Sequence, residues 1–204
     1  MNTRVSVAGL LAAVAVGFVV SSCSDSRSPV GPTAATGPSR LIAGPTRLDV
    51  VSWDTPVTTA QSASATIGLL GGQISMPGLG LTVTIPAFAV TAPTTITVTA
   101  VPGSTVAYEF EPHGTQFNVP LIVQQSLAGT NAADDFGKIR GVLYGGYFAD
   151  PSALDPVGGT ALVNEVLRVS IDKLLGTATF TITHFSGYLL GTGETGPNDG
   201  EGMH

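Results

Sequence analysis

From residue 64 to residue 191 the chain keeps alternating apolar and hydroxyl-bearing residues with a period of two. No other feature limits its fold so strongly. In GLTVTIP, Leu81, Val83 and Ile85 fall on one face and Thr82 and Thr84 on the other. In TTITVTAV, Ile96, Val98 and Ala100 oppose Thr95, Thr97 and Thr99. Val106, Tyr108 and Phe110 alternate with Ala107, Glu109 and Glu111, and Ala178, Phe180 and Ile182 alternate with the threonines around them. Successive side chains of an extended strand point to opposite faces, so each run predicts a half-buried strand. Turn signals separate the runs, at Gly71-Gly72, Pro77-Gly78, Pro102-Gly103 and Pro112 to Gly114. The expected fold is all-β: an antiparallel β-sandwich of 8–10 short strands, without internal repeats. NEVLRVSIDKLL reads two ways. Leu167, Val169 and Ile171 alternate as in a strand, while Val163, Val166, Leu167 and Leu174 make a helical stripe. The neighbouring β pattern favours a strand, with room for one helical turn.

The N-terminus carries a different signal. Residues 1–22 hold a positive charge at Arg4, an apolar run from Val5 to Val20, and small residues before Cys23. This is the layout of a secretory signal peptide. The apolar run is short of the ~20 residues needed to span hydrocarbon, and no basic stop-transfer cluster follows it. Val20-Ser21-Ser22-Cys23 resembles a lipobox, the recognition sequence of bacterial lipoprotein signal peptidase. Cys23 is the one cysteine in the chain. Acylation of its sulfur would supply a membrane anchor and remove a thiol that invites stray disulfides outside the cytoplasm. The expected location is therefore extracytoplasmic and lipid-anchored in the cell envelope. Ser24, rather than aspartate, follows the cysteine, which points to the outer membrane if the cell has two.

Residues 23–63 begin with a Pro-, Gly-, Ser- and Thr-rich stretch that has little to bury, and read as a flexible linker. Within it, Val50, Val51 and Trp53 either dock as an outer strand or stay loose, with partial order favoured. Residues 64–191 form the β domain and residues 192–204 a polar tail. The net charge is −6 and the eight Lys and Arg residues are scattered. No basic stripe is available for a phosphate backbone, so nucleic acid is not an expected partner.

IGLLGGQISMPGLGLTVTIPAFAVTAPTTITVTAVP resembles the opening of a ZU5 domain, through Gly71, Gly72, Pro86, Ala89 and Val90. Phe88 stands where that family usually has glycine. EPHGTQFNVPLIVQQSL resembles a later family element through Pro112, Gly114, Phe117 and Pro120. TFTITHFSGYLL resembles the His-Phe-Ser-x-Tyr ending of bacterial ZU5-like proteins through His184, Phe185, Ser186 and Tyr188. The likeness covers about residues 65–127 and 176–191 and leaves 128–175 unmatched. It implies an antiparallel β module used for protein interaction or scaffolding. It also implies a chemical alternative, because some ZU5-containing proteins cut themselves between the Phe and Ser of His-Phe-Ser.

That alternative has a physical basis of its own. Residues i and i+2 of a strand share a face, so His184 and Ser186 are expected as neighbours. Histidine would then take the Ser186 proton, and the oxygen would attack the Phe185 carbonyl to give an ester that water hydrolyses. Such a step needs a strained peptide. The structural alternative has His184 half-buried beside Phe180 and Ile182 and hydrogen-bonded to Ser186 or a backbone carbonyl. Phe185 then points the other way and Tyr188 caps an edge.

Other candidates are plainer. His113 is expected to be exposed in its turn, and His113, His184 and His204 lack metal-ligand spacing. Asp134, Asp135, Asp150 and Asp155 lack the spacing of a calcium loop and read as solvated loop charges. Gly141, Gly145 and Gly146, beside Tyr144 and Tyr147, read as a bulge or close-packed edge, because no helix start follows to make a phosphate cradle. No nucleotide fingerprint, paired carboxylates or Ser-His-Asp set stands out, so neither a cofactor nor a metal is expected. The leading expectation is a non-enzymatic binding or scaffold module that presents loops, above all in 128–160, to an envelope protein or glycan. A carbohydrate-binding module is a further alternative, resting on Trp53, Tyr144 and Tyr147.

Overall fold

Each alternating run is a strand in the computed structural model, which describes residues 40–133 and 143–194. Fifteen strands occur among the described residues, more than the 8–10 expected. They begin with β1 (Arg40–Val50), β2 (Ser52–Val57), β3 (Gln61–Ile67), β4 (Gly72–Met76), β5 (Leu81–Ile85), β6 (Thr94–Ala100), β7 (Gly103–Thr105) and β8 (Ala107–Glu111). They continue with β9 (Gln116–Ser126), β10 (Tyr144–Phe148), β11 (Leu154–Asp155), β12 (Thr160–Arg168), β13 (Ser170–Asp172), β14 (Thr177–His184) and β15 (Gly187–Glu194). The surplus comes from short pieces such as β7, β11 and β13, and from β1 and β2, which fall where the sequence suggested a linker.

One sheet has eight strands in the order β1-β12-β10-β15-β8-β6-β3, with β11 alongside β12. A second has five, in the order β13-β14-β9-β5-β4, and β2 pairs with β7 alone. Every pairing between these strands is antiparallel. Both larger sheets bury side chains in one apolar cluster. Leu81, Val83, Val123, Phe180 and Ile182 of the five-stranded sheet join Ile96, Val98, Phe110, Tyr188 and Leu190 of the eight-stranded one. The Tyr108 hydroxyl on β8 crosses between the sheets to donate to Gln125 Oε1 on β9 at 2.7 Å. Gln125 is 1% exposed, and its amide nitrogen donates to the carbonyls of Leu79 and Ser126.

The larger sheet also closes on itself. β1 pairs with β12 along Arg40–Asp49 and with β15 along Leu48–Val50, while β10 pairs with both β12 and β15. These four strands make a hydrogen-bonded ring with its own apolar cluster of Leu48, Val50, Phe148, Val163, Val166 and Leu189. Fully burying a Leu or Val side chain contributes about 1.5–3 kcal/mol, so β1 is held by packing as well as by its ladder. Strand structure is therefore already present at Arg40, the first described residue, well before residue 64, and Val50, Val51 and Trp53 are all buried. At the far end, β15 runs to Glu194, into the stretch expected as tail.

Gly145 and Gly146 lie on β10, between β12 and β15, not at an edge. A Cβ on Gly146 would come within 2.6 Å of Val163 Cγ1 and 2.9 Å of Leu189 Cδ1, so the ring closes only around glycine there. The ambiguous NEVLRVSIDKLL segment is strand in β12 and β13. Asp172 then ends it by accepting from the Leu174 and Leu175 amides at 2.9 and 3.0 Å, leaving Leu174 in solvent. Cys23 with its signal segment, the linker up to residue 39, Asp134, Asp135, Gly141 and His204 lie outside the described residues.

Candidate functional site

The His-Phe-Ser segment is the joint between the two larger sheets. β14 ends at His184 in the five-stranded sheet, β15 begins at Gly187 in the eight-stranded one, and Phe185-Ser186 carries the chain across. The Phe185 amide donates to the Thr115 carbonyl at 2.9 Å, and its carbonyl accepts from the Gly114 amide at 3.1 Å. The Ser186 carbonyl accepts from the Phe110 amide at 2.9 Å. The Phe185 ring, 1% exposed, stacks on Phe110 at 5.5 Å and meets Phe117 edge-on at 4.5 Å. Such aromatic pairs add about 0.5–1.5 kcal/mol beyond their buried area. Gly187 follows because a Cβ there would overlap the Phe148 ring.

His184 sits beside this joint in a part-buried polar cluster drawn from four strands. Tyr188 Oη lies 2.8 Å from the His184 carbonyl oxygen and 3.1 Å from Nδ1 of the same residue. A carbonyl only accepts, so that bond uses the one hydroxyl proton and makes Nδ1–H the donor to the phenol oxygen. Nε2 faces Glu165 Oε2 at 3.7 Å, with the two side chains 18% and 20% exposed. The Tyr147 ring meets the imidazole edge-on at 4.7 Å. Burial first, then the Glu165 charge and Tyr147, push the Tyr188 phenol well above its ordinary value of 10.0. It stays protonated and serves as a donor, not as a nucleophile.

The strand pairing of His184 with Ser186 expected from their spacing is not seen among the described residues. The extended geometry stops at His184, so the i, i+2 relation fails, and no hydrogen bond joins the two residues. Phe185 does turn into the core. Tyr188, by contrast, is 1% exposed on a strand flanked by β10 and β8, and caps no edge. Glu165, which completes the cluster, carried no signal in the sequence, and Tyr147 was singled out there only as a sugar-binding candidate and beside the glycines. Their strands meet His184 only through the sheet order.

The remaining candidates separate. His113 is exposed on the turn after β8. Asp150 accepts from the Ser152 amide at 2.8 Å, and the Ser152 side chain first and that amide second hold its carboxyl below the usual range. Asp155 caps the turn at Val157 and Gly158. Among the described residues no group of three or more His, Cys, Asp or Glu is placed to hold a metal. Trp53 is buried, and its indole N–H has no hydrogen-bond partner among the described residues. Tyr144 and Tyr147 pack against different clusters, on opposite faces of β10. The three aromatics therefore form no common platform for a sugar ring. Compared with known proteins, the sequence matches no family model and no curated protein.

Proposed function

We propose that this chain is an extracytoplasmic lipoprotein, anchored through Cys23, whose ZU5-like module binds or scaffolds a partner in the cell envelope without catalysing a reaction. In a cell with two membranes its place is the outer one, because Ser24 follows the anchor residue. One observation carries the non-enzymatic part of the reading. The group required as base, His184, commits Nδ1 to Tyr188 and turns Nε2 toward Glu165, while the Phe185 amide and carbonyl are both held by the turn at Gly114 and Thr115. His-Phe-Ser then works as a clamp between sheets. The anchored part rests on the lipobox-like Val20 to Cys23 and on the lone cysteine.

Intact-mass spectrometry of protein purified from membranes tests both parts at once. The expected species starts at an acylated Cys23 and continues past Ser186. An unmodified Cys23 would remove the anchor. A species ending at Phe185 in the wild type but not in Ser186→Ala would replace the binding reading with self-processing.

A further inference from the structure

Two loops meet at one end of the five-stranded sheet. The β3–β4 turn presents Leu69 and Leu70, and the β5–β6 connection presents Phe88. The loops are joined by the Phe88 amide, which donates to the Leu69 carbonyl at 2.8 Å, and the turn residue Gly71 lies against Ile85 and Pro86. Leu70 is 90% exposed, Phe88 65% and Leu69 50%. Single exposed apolar side chains are ordinary, but three on touching loops form a patch. Phe88 also holds a φ of 65°, a left-handed conformation that a bulky residue adopts at a cost. At 65% exposed, it gains little burial in return. Outliers of this kind gather where a residue is kept for something other than folding.

The surroundings indicate what covers the patch. No Asp, Glu, Lys, Arg or His occurs between Asp54 and Glu109, so neither loop would carry a charge into a low-dielectric layer. Glu111 and His113, at the end of β8 and on the turn after it, line an open pocket with Thr95 and Thr97. The chain as a whole is negative and would be repelled by anionic lipid, whereas these two loops carry no charge of their own. Even fully extended, the chain from Cys23 to Arg40 reaches no further than roughly 60 Å, so an acylated Cys23 keeps the loops within reach of the bilayer.

We infer that Leu69, Leu70 and Phe88 form a second membrane contact, inserting into the headgroup layer of a zwitterionic bilayer and laying the module down on the surface to which Cys23 tethers it. The inference rests on the lipid-anchor reading above. Aromatic and aliphatic side chains on loop tips partition into the interface in this way, each fully buried one favouring the docked state roughly ten- to hundred-fold.

The test places an environment-sensitive dye at Leu70→Cys in the full-length lipidated protein, reconstituted in phosphatidylcholine vesicles. A second labelled protein carries the dye at Leu174→Cys. That residue is 93% exposed in the turn before β14, at the opposite end of the same sheet. The dye at 70 is expected to shift to the blue and be quenched by brominated lipid, while the dye at 174 is not. Adding Phe88→Gly, which relieves the backbone while removing the ring, should reduce the docked fraction at least tenfold. Equal access of both dyes to aqueous iodide overturns the inference. So does shielding at 70 that persists without vesicles and grows with protein concentration, since a second copy would then cover the patch. Failure of the anchor shows separately: the protein does not float with vesicles and binds two dyes per chain instead of one. In that case the Leu70→Cys, Cys23→Ser chain is titrated with the same vesicles, and a dye that does not respond refutes the contact by itself.

Discussion

Phe88 combines an exposed ring with a left-handed backbone, and folding alone rewards neither. Phe88→Gly should therefore raise stability by about 1 kcal/mol, read as a higher urea midpoint at unchanged slope. An unchanged or lower midpoint would mean that the ring packs usefully in the free protein. Thr105 offers a second single-residue test. Its hydroxyl is buried on β7, 4% exposed, and has no partner among the described residues. Replacing it by the isosteric valine removes a desolvated polar group, so Thr105→Val should gain about 1 kcal/mol. Tyr108→Phe should instead lose about 1–3 kcal/mol, because Gln125 Oε1 then stays buried without its donor. Equilibrium denaturation of the pair separates the two cases, and equal effects of the same sign would refute the argument. Phe88 was visible in the sequence as a large residue where the resembled pattern has glycine. Gln125 was not, since a polar residue in a strand reads as outward-facing until its partner across the sheets is known.

At the scale of elements, what could be read depended on whether a strand has one buried face or two. β5, β6 and β14 keep hydroxyls on one side and Val, Ile or Phe on the other, so their period of two stood out. Along the outer side of β3 and β6 those hydroxyls pair as Ser62–Thr99, Ser64–Thr97 and Thr66–Thr95, at 2.8–3.1 Å. β1 gave no such rhythm. Gly44 and Pro45 fall inside it, at the register shift between Ala43 and Thr46, and they read as a loop because proline cannot donate to a ladder. β10, with Gly145 and Gly146 buried on both faces, looked like a bulge for lack of side chains. The His184 cluster was half legible. Its histidine and tyrosine stand four residues apart, but the end of β14 between them decides which groups meet. Strand packing also predicts that Gly187→Ala loses about 2 kcal/mol, since the new methyl must displace the Phe148 ring. Gly193→Ala, with open space around its Cβ, should lose far less. Thermal melts of the two variants that coincide would count against that packing.

For the whole molecule, two buried phenols set the alkaline limit. Burial raises both Tyr108 and Tyr188 above the ordinary value of 10.0. The folded state therefore keeps protons that the unfolded chain releases. This contribution is complete below pH 10, begins to fall as the unfolded phenols ionise, and is lost once the folded values are passed. Stability should decline above pH 10 by up to about 1.4 kcal/mol per pH unit for each phenol. Urea midpoints measured from pH 8 to 11.5 check this, and a slope that Tyr108→Phe leaves unchanged would exclude Tyr108 as a source.

The ring that β1 closes with β12 and β15 fixes the order of assembly. Arg40 pairs with Leu167, and Leu48 with Glu194, so the first of the described strands to emerge from a ribosome or a translocation pore lacks these ladder partners until nearly the whole domain has followed it. Segments so far apart in sequence carry a loop-closure entropy that slows their meeting. Until they meet, β1 is a bare edge open to any passing strand. A chain wired in this way completes its fold only after delivery is finished, and while it waits it depends on whatever shields its leading segment.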